Sequence, residues 1–529
     1  MEATGGVNAA QHQAKIVREG DTTLPYTQEM RLILLLLISS VSIHALDFKH
    51  LLEKTGNFVE KLREKTFLKF AELFERTGII SLGGRLAEMR SKMWNKLMLR
   101  LPKEKNKELE EKLEKIQAKR RNTTNGSKHS IYKINARKNV GQSLFQSDIL
   151  LTKQQADEIM EGIEKEFGRD KRQAFVDESY PNTTWQKGVF YRFHKKTGKI
   201  TRRVFRVAAK QWQEASCINF FEDRYRIAND SIVVFEEDGC WSVIGRAGGK
   251  QPLSLGNGCD EVGTALHEIG HALGLYHTMS RYDRDDFITL AFENLEAAFV
   301  DEYIKVTREN SNDYGHPYDY GSIMHYGQTS SSKNDRPTMV ADDIKYQAAM
   351  GSHMLSFIDK STINDHYKCK EKCPMATSAK CKNNGFPHPR NCSECICPNG
   401  YGGALCDERP NGCGATLKAK KEWQYLIDRL GFGEEERDEF TFCNYWIEAP
   451  ERFAVEIEIV SISDGFDEDG CVLGGVEIKS KDDQTVTGYR FCSPLDYNTL
   501  LVSNSSRVPV ITFSRFLEHQ IVLQYRIAF

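Results

Sequence analysis

His267-Glu268-Ile269-Gly270-His271-Ala272-Leu273-Gly274-Leu275-Tyr276-His277 is the stretch from which the rest of the chain is read. On a helix of 3.6 residues per turn, His267 and His271 project from one face, close enough to share one metal ion. Glu268 directly follows the first histidine, which sets its carboxylate beside that metal, where it can take a proton from a water. Gly274 can leave the helix with positive φ and turn the chain back, so that His277 approaches the same ion as a third ligand. Two histidines on an amphipathic helix can simply face solvent. The long form, with Gly274 and His277 added, is a zinc pattern in which three histidines leave one coordination position open.

The 529 residues exceed one ordinary core, so several domains are expected. A formal net charge of −2 carries no sign of a nucleic-acid partner. The 14 cysteines, even in number and all between Cys217 and Cys492, suit disulfides formed in an oxidising compartment. A secreted, extracellular protein is implied. Met30-Arg31 followed by the apolar run Leu32 to Ile43 and small residues to Ala45 reads as a signal peptide over 30–45, starting at Met30. The run falls short of the ~20 apolar residues a spanning helix needs, so no stable membrane insertion is expected.

Residues 46–172 begin as a charged, helix-prone stretch, with Glu and Lys recurring at three- and four-residue spacing from Lys103 to Lys119. This reads as a solvated helical arm. Glycosylation acceptors begin at Asn122, Asn125, Asn182, Asn229, Asn391 and Asn504. Arg169-Asp170-Lys171-Arg172 is a dense basic site at the point where composition turns aromatic and β-prone, as in Val189-Phe190-Tyr191-Arg192-Phe193. The site resembles the target of a furin-like convertase. Cleavage between Arg172 and Gln173 would make 46–172 a propeptide. Upstream lies Leu144-Phe145-Gln146-Ser147-Asp148, in which a lone aspartate would ordinarily be solvated charge.

Beyond the histidine motif come Tyr282-Asp283-Arg284-Asp285, Ser322-Ile323-Met324-His325-Tyr326, Leu355-Ser356-Phe357-Ile358-Asp359 and Tyr367-Lys368-Cys369. With these motifs, residues 173–370 resemble an astacin-family metalloprotease domain. The resemblance implies a two-lobed α+β fold with a five-stranded mixed sheet, the zinc helix, an irregular lower lobe and a substrate cleft between the lobes. It also implies one Zn2+ per catalytic domain, held by His267, His271 and His277. Glu268 would be the catalytic base, Met324 an apolar floor under the histidines, and Tyr326 a further ligand that swings away to hold the oxyanion. His325 would not be a ligand. Two bridges follow from the same resemblance, Cys217 with Cys369 and Cys240 with Cys259.

Two positions take their meaning from the family pattern. An aspartate shortly after a phenylalanine occupies the metal in the zymogen, which assigns that switch to Asp148, although Ser147 stands where the family has glycine. A glutamate usually follows the third histidine and meets the new N-terminus. Thr278 stands there instead. A hydroxyl offers no counter-charge, so the ammonium of Gln173 is expected to stay in solvent.

Six further cysteines crowd residues 371–407, which resemble an EGF-like module pairing Cys373 with Cys392, Cys381 with Cys395, and Cys397 with Cys406. Residues 413–529 alternate apolar and polar positions, as in Phe453 to Ile459, and resemble a β-sandwich CUB domain with bridges Cys413 with Cys443 and Cys471 with Cys492. Val472-Leu473 follow Cys471 where many CUB domains carry an aspartate, which argues against a calcium site there. The whole resembles nematode astacins, and kinship implies extracellular protein substrates such as cuticle or matrix collagens in moulting or hatching. A catalytically idle adhesive protein acting through its EGF and CUB surfaces is the alternative. It would require a broken metal site, and no ligand or base is missing.

Overall fold

The computed structural model describes residues 86–95, 106–120, 129–165, 174–175, 180–306, 311–431, 433 and 435–528. All of these belong to one compact unit, 51–529. The signal segment 30–45, Asn122, Asn125, Arg172 and Gln173 lie outside the described residues.

Helix α1 (86–95), α2 (Lys107–Arg120), α3 (Ile131–Arg137) and α4 (Lys153–Lys165) precede the main sheet, with strand β1 (Ile149–Leu150) between α3 and α4. The solvated arm expected over this stretch is corrected here. Leu113 and Ile116 of α2 are buried against Ala291 and Val340, with Leu109 beside them. Their i, i+4, i+7 spacing makes an apolar stripe within a charged sequence, and a stripe of that kind docks. In α1, Leu86, Met89 and Arg90 are buried as well.

Strands β2 (Val189–Phe193), β3 (Phe220–Glu222), β4 (Ser231–Phe235), β5 (Cys240–Val243) and β6 (Lys250–Leu255) join β1 in one mixed sheet of order β1-β5-β6-β4-β2-β3. Only the β5–β6 pair is antiparallel within it. The sheet therefore has six strands where five are expected from residues 173–370, because β1 comes from upstream and pairs parallel to β5, Ile149 opposite Ser242 and Leu150 opposite Val243. Every residue of β4 is buried, as a strand covered on both faces requires. Helix α5 (Lys199–Glu214) packs Thr201, Val204, Phe205, Ala208, Ala209 and Trp212 inward at helical spacing. Each large apolar side chain fully removed from water in this way contributes roughly 1.5–3 kcal/mol.

Helix α6 (Val262–Ala272) is buried along its whole length and carries the histidine motif. The Trp212 indole of α5 donates to the Leu266 carbonyl at 3.0 Å and fixes the two helices against each other. Below it the chain is irregular until α7 (Phe357–His366), whose N-terminus is closed by a reciprocal Ser356–Asp359 capping box.

The 14 cysteines form seven disulfides: Cys217–Cys369, Cys240–Cys259, Cys373–Cys392, Cys381–Cys395, Cys397–Cys406, Cys413–Cys443 and Cys471–Cys492. Three of them staple a small hairpin, Phe386–His388 with Asn391–Ile396. The C-terminal region is a sandwich of two sheets. One contains β7 (Thr416–Lys418), β9 (Thr441–Glu448), β11 (Gly474–Ile478), β12 (Tyr489–Phe491) and β14 (Arg507–Ser514), in the order β7-β9-β14-β11-β12. The other contains β8 (Gln424–Leu430), β10 (Val455–Ile462), β13 (Leu500–Val502) and β15 (His519–Ile527), in the order β8-β15-β10-β13. Ile447, Ile457, Ile459, Val476, Val510 and Leu523 fill the space between the sheets. The sandwich rests on the region below α6, where Asp469 Oδ2 accepts from the Thr329 amide at 3.2 Å and its hydroxyl at 2.8 Å.

Candidate metal centre

Helix α6 ends where the sequence places its exit. Gly274 has φ +105°, where a side chain would be strained, and a Cβ there would crowd His366 Nε2 at 3.0 Å. The turn returns His277 to the two helix histidines. The three imidazoles are buried, with His267 Nε2 at 3.1 Å from both His271 Nε2 and His277 Nε2.

Each ring is oriented through its other nitrogen. His267 Nδ1 donates to the Ile323 carbonyl at 2.7 Å, His271 Nδ1 to the Leu275 carbonyl at 2.7 Å, and His277 Nδ1 to Gln146 Oε1 at 2.9 Å. Each Nε2 therefore presents a lone pair, and lone pairs directed at one point at these separations repel unless a cation lies among them. Burial lowers the pKa of His271, and that of His277 to about 3, which keeps both rings neutral, the form that ligates a metal.

Asp148 supplies the fourth donor. Its Oδ2 lies 3.1 Å from His267 Nε2 and 3.2 Å from His277 Nε2, its Oδ1 lies 3.4 Å from His271 Nε2, and the Tyr326 hydroxyl donates to Oδ2. Three imidazole nitrogens and one carboxylate oxygen fit a four-coordinate zinc ion.

Glu268 is buried beside this group, and neither of its oxygens has a hydrogen-bond partner among the described residues. Burial, with the Asp148 carboxylate nearby, pushes its carboxyl well above the usual range. Met324 lies beneath α6, and a Cβ on Gly270 would come within 2.5 Å of its sulfur, so the glycine inside the motif makes room for that floor. The turn carrying Met324 is fixed by Asp359, which accepts from the Ser322 hydroxyl at 2.5 Å and the Ile323 amide at 2.8 Å. His325 points away, between the Tyr318 hydroxyl at 2.7 Å and the Tyr326 carbonyl at 2.7 Å. Thr278 is buried, and its amide donates to the Met324 carbonyl at 3.0 Å. Ala174, next to Gln173, is buried and bridges Leu275. Asn182, Asn229, Asn391 and Asn504 are exposed.

The segment holding Asp148 is a tight turn, closed by paired backbone bonds between Phe145 and Ile149 at 3.0 and 2.9 Å. Ser147 takes φ +67°, a left-handed conformation that favours glycine, and its hydroxyl donates to buried Glu302. Three supports, Arg90, Asn135 and Asp301, carry no motif in the sequence. Arg90 pairs with Asp301, at 2.5 Å from Nε and 2.9 Å from Nη2, and also donates to the Gln142 and Leu144 carbonyls. Asn135 bridges the Ser147 carbonyl at 2.9 Å and the Cys240 amide at 2.8 Å. Asp301 accepts from the Gln146 amide at 3.0 Å. Gln146 itself orients His277, and its closeness to Asp148 is a signal the sequence does carry.

A histidine-held metal centre under a mixed sheet, with an unpartnered glutamate beside it, defines a metallopeptidase class of site. Residues 177–368 match the family model described as Astacin, a peptidase family. The zinc metalloproteinase nas-31 of Caenorhabditis elegans is 46% identical over 402 residues, 75% of this chain and 65% of that protein. The zinc metalloproteinase nas-29 of the same organism is 36% identical over 373 residues, 68% of each chain. Among solved structures, High choriolytic enzyme 1, a hatching enzyme zinc-protease from Oryzias latipes (medaka fish), is 28% identical and covers 37% of this chain and 94% of that one, with a TM-score of 0.33. The chain belongs to the astacin family.

Proposed function

We propose that this chain is a secreted zinc endopeptidase made as a zymogen and held latent by Asp148. The observation that carries the reading is the Asp148 carboxylate set against three convergent imidazoles and the Tyr326 hydroxyl. His267, His271 and His277 would hold the zinc, which when bound acts as a Lewis acid toward a peptide carbonyl and makes a water acidic. Glu268 takes the proton of the attacking water and returns it to the leaving amine. Tyr326 donates to the oxyanion once its hydroxyl is free of Asp148.

In the uncut chain two devices oppose the reaction. With zinc bound, the Asp148 carboxylate would compete with water for the metal, and it engages the Tyr326 hydroxyl. Strand β1 pairs along β5, so an extended substrate cannot add there. Cleavage by a furin-like convertase between Arg172 and Gln173 would release both. The substrates proposed are extracellular proteins, with cuticle or matrix collagens in moulting or hatching as the class that kinship favours.

The test compares purified uncut chain with chain cut after Arg172, on one quenched-fluorescence peptide. Turnover should appear only in the cut form, vanish with a chelator and return with zinc. Equal turnover before and after cutting would overturn the latency reading, and turnover untouched by chelation would overturn the zinc reading.

A further inference from the structure

A net charge of −2 over the whole chain conceals one strongly basic stretch, Gln186 to Asn229, which holds 11 Lys or Arg and 3 Asp or Glu. The stretch includes β2, α5 and β3, and β3 is an edge strand of the six-stranded sheet. Five arginines form one band around that edge. Arg202 and Arg206 of α5 lie over the Phe193 ring, 5.0 and 4.8 Å from its centroid. Arg206 forks onto the Glu222 carboxylate of β3 at 3.0 and 3.1 Å, and Arg224 reaches the same carboxylate at 3.5 Å. Its hydrogen bonds to Arg206, with Arg224 and Arg202 nearby, hold the Glu222 carboxyl below its usual range. Tyr191 and Phe193 turn toward Phe205 of α5, at 4.9 and 5.8 Å between ring centroids, so Arg192 between them points to the other face of the sheet. There burial first, and then the nearby Arg226 guanidinium, lower the Arg192 pKa against the pull of Asp223.

The band is short of counter-charge. Arg206 and Arg224 share the single carboxylate of Glu222, and Asp223 accepts from the Ile227 and Ala228 amides at 3.0 and 3.1 Å. Arg202 donates to the Thr197 carbonyl at 2.9 Å and the His194 carbonyl at 3.0 Å, which sets it beside Lys195 and Lys196 between them. Arg192, Arg202, Arg226, Lys195 and Lys196 make no ion pair among the described residues. Arg192 Nε is buried and has no hydrogen-bond partner among them either. An orphaned guanidinium donor with a second guanidinium nearby is a place that an anion fills. A few charges are enough to keep a sheet edge from pairing with another chain. These cations run on past the edge, over α5 on one face and to Arg192 on the other, so protection of the edge does not account for them. Tyr225, 87% exposed, and Ile227, 80% exposed, stand among them.

We propose that this arginine band binds a sulfated polysaccharide, which would hold the protease in a sulfated matrix. Guanidinium groups match the oxygens of a tetrahedral oxyanion two at a time, and a row of them matches a linear polyanion. Tyr225 offers an exposed ring face against which a sugar can lie. A flat lipid surface would meet one face of the edge, whereas a flexible chain can follow the cations around it from Arg206 to Arg192. The choice of a polysaccharide over a nucleic acid rests on the extracellular reading, which the seven disulfides support. The zinc and latency readings do not depend on it.

The experiment measures binding of the full uncut chain to immobilised heparin by surface plasmon resonance at an ionic strength of ~0.15 M. Heparin stripped of its sulfates, phosphatidylcholine–phosphatidylserine vesicles and duplex DNA serve as comparison surfaces. Wild type should bind heparin saturably, lose affinity as salt is raised, and bind each comparison surface more weakly. The paired change Arg224→Gln with Arg226→Gln, at exposed loop positions, should raise the Kd for heparin at least about tenfold, the factor that ~1.4 kcal/mol represents. Lys195→Gln with Lys196→Gln, also exposed, should weaken binding in the same direction. Arg169→Gln with Lys171→Gln removes the same charge from the other dense basic site and should leave the Kd unchanged. No heparin binding by wild type, or equal weakening by the Arg169–Lys171 pair, would overturn the inference. Tighter binding to vesicles, to DNA or to desulfated heparin than to heparin itself would overturn it as well.

Discussion

His267, His271 and His277 meet through one helix and the turn that follows it, whereas Asp148 reaches the same point only because distant parts of the chain hold it there. The histidine side is local: helical spacing sets two rings, Gly274 sets the third, and two of the three orienting carbonyls, Ile323 and Leu275, are backbone. The Asp148 side depends on Arg90 reaching Asp301, Asn135 reaching Cys240 and Ser147 reaching Glu302. A centre built this way can lose one half and keep the other. The difference separates a metal site set by local geometry from a fourth donor, Asp148, set by tertiary contacts.

The largest effects should fall on the local half. Glu268→Gln is expected to keep zinc and lower kcat/KM of the cut enzyme by about 10²–10⁴-fold, the usual contribution of a general base. His271→Ala should lose the metal of this centre outright, because two remaining imidazoles do not make a closed site. Near-normal turnover by Glu268→Gln with full zinc would remove the glutamate from the mechanism.

The tertiary half should respond in a different quantity. Arg90→Met leaves Asp301 buried without its cation, a loss of about 3–5 kcal/mol in comparable pairs. Basal activity of the uncut chain should rise at least about tenfold, the factor that ~1.4 kcal/mol represents. The chain cut after Arg172 should be unaffected, since Arg90 lies in the part removed. A lower melting temperature with unchanged basal activity would make Arg90 a stabiliser with no hold on latency.

The smallest effect is a pH dependence at the turn under the histidines. Burial raises the Asp359 carboxyl from 3.8 to about 6. The folded state therefore holds this proton over a pH range in which the unfolded state has released it. Stability should fall as pH rises from about 4 to about 6, by up to ~3 kcal/mol. Asp359→Asn lacks this titration, so the melting-temperature difference, wild type minus variant, should shrink or reverse between pH 4 and pH 7. A difference that does not change with pH would exclude Asp359 as its source.

Much of this molecule was legible because its chemistry is written at short range. The histidine spacing, Gly274, and the apolar alternation in the sandwich follow from helix and strand periods. The N-terminal stretch reads as a solvated arm because Leu109, Leu113 and Ile116 form a narrow stripe among lysines and glutamates, and charge dominates such a composition. The sixth strand escaped for another reason. Ile149-Leu150 is too short to show a period and becomes a strand only against the edge of β5. Arg90 and Asn135 resemble any other polar helix residue until the fold brings carbonyls and carboxylates to them.

The central claim is that Asp148 itself keeps the uncut chain silent, and Asp148→Ala tests it most directly. Wild type and variant are purified uncut, matched for zinc at the three-histidine site, and assayed on one peptide before and after cleavage at Arg172. The account predicts turnover by uncut Asp148→Ala at least about tenfold above uncut wild type, with equal turnover once both are cut. An uncut Asp148→Ala chain as silent as wild type, yet fully active after cutting, would contradict it and assign latency to the strand lying along β5.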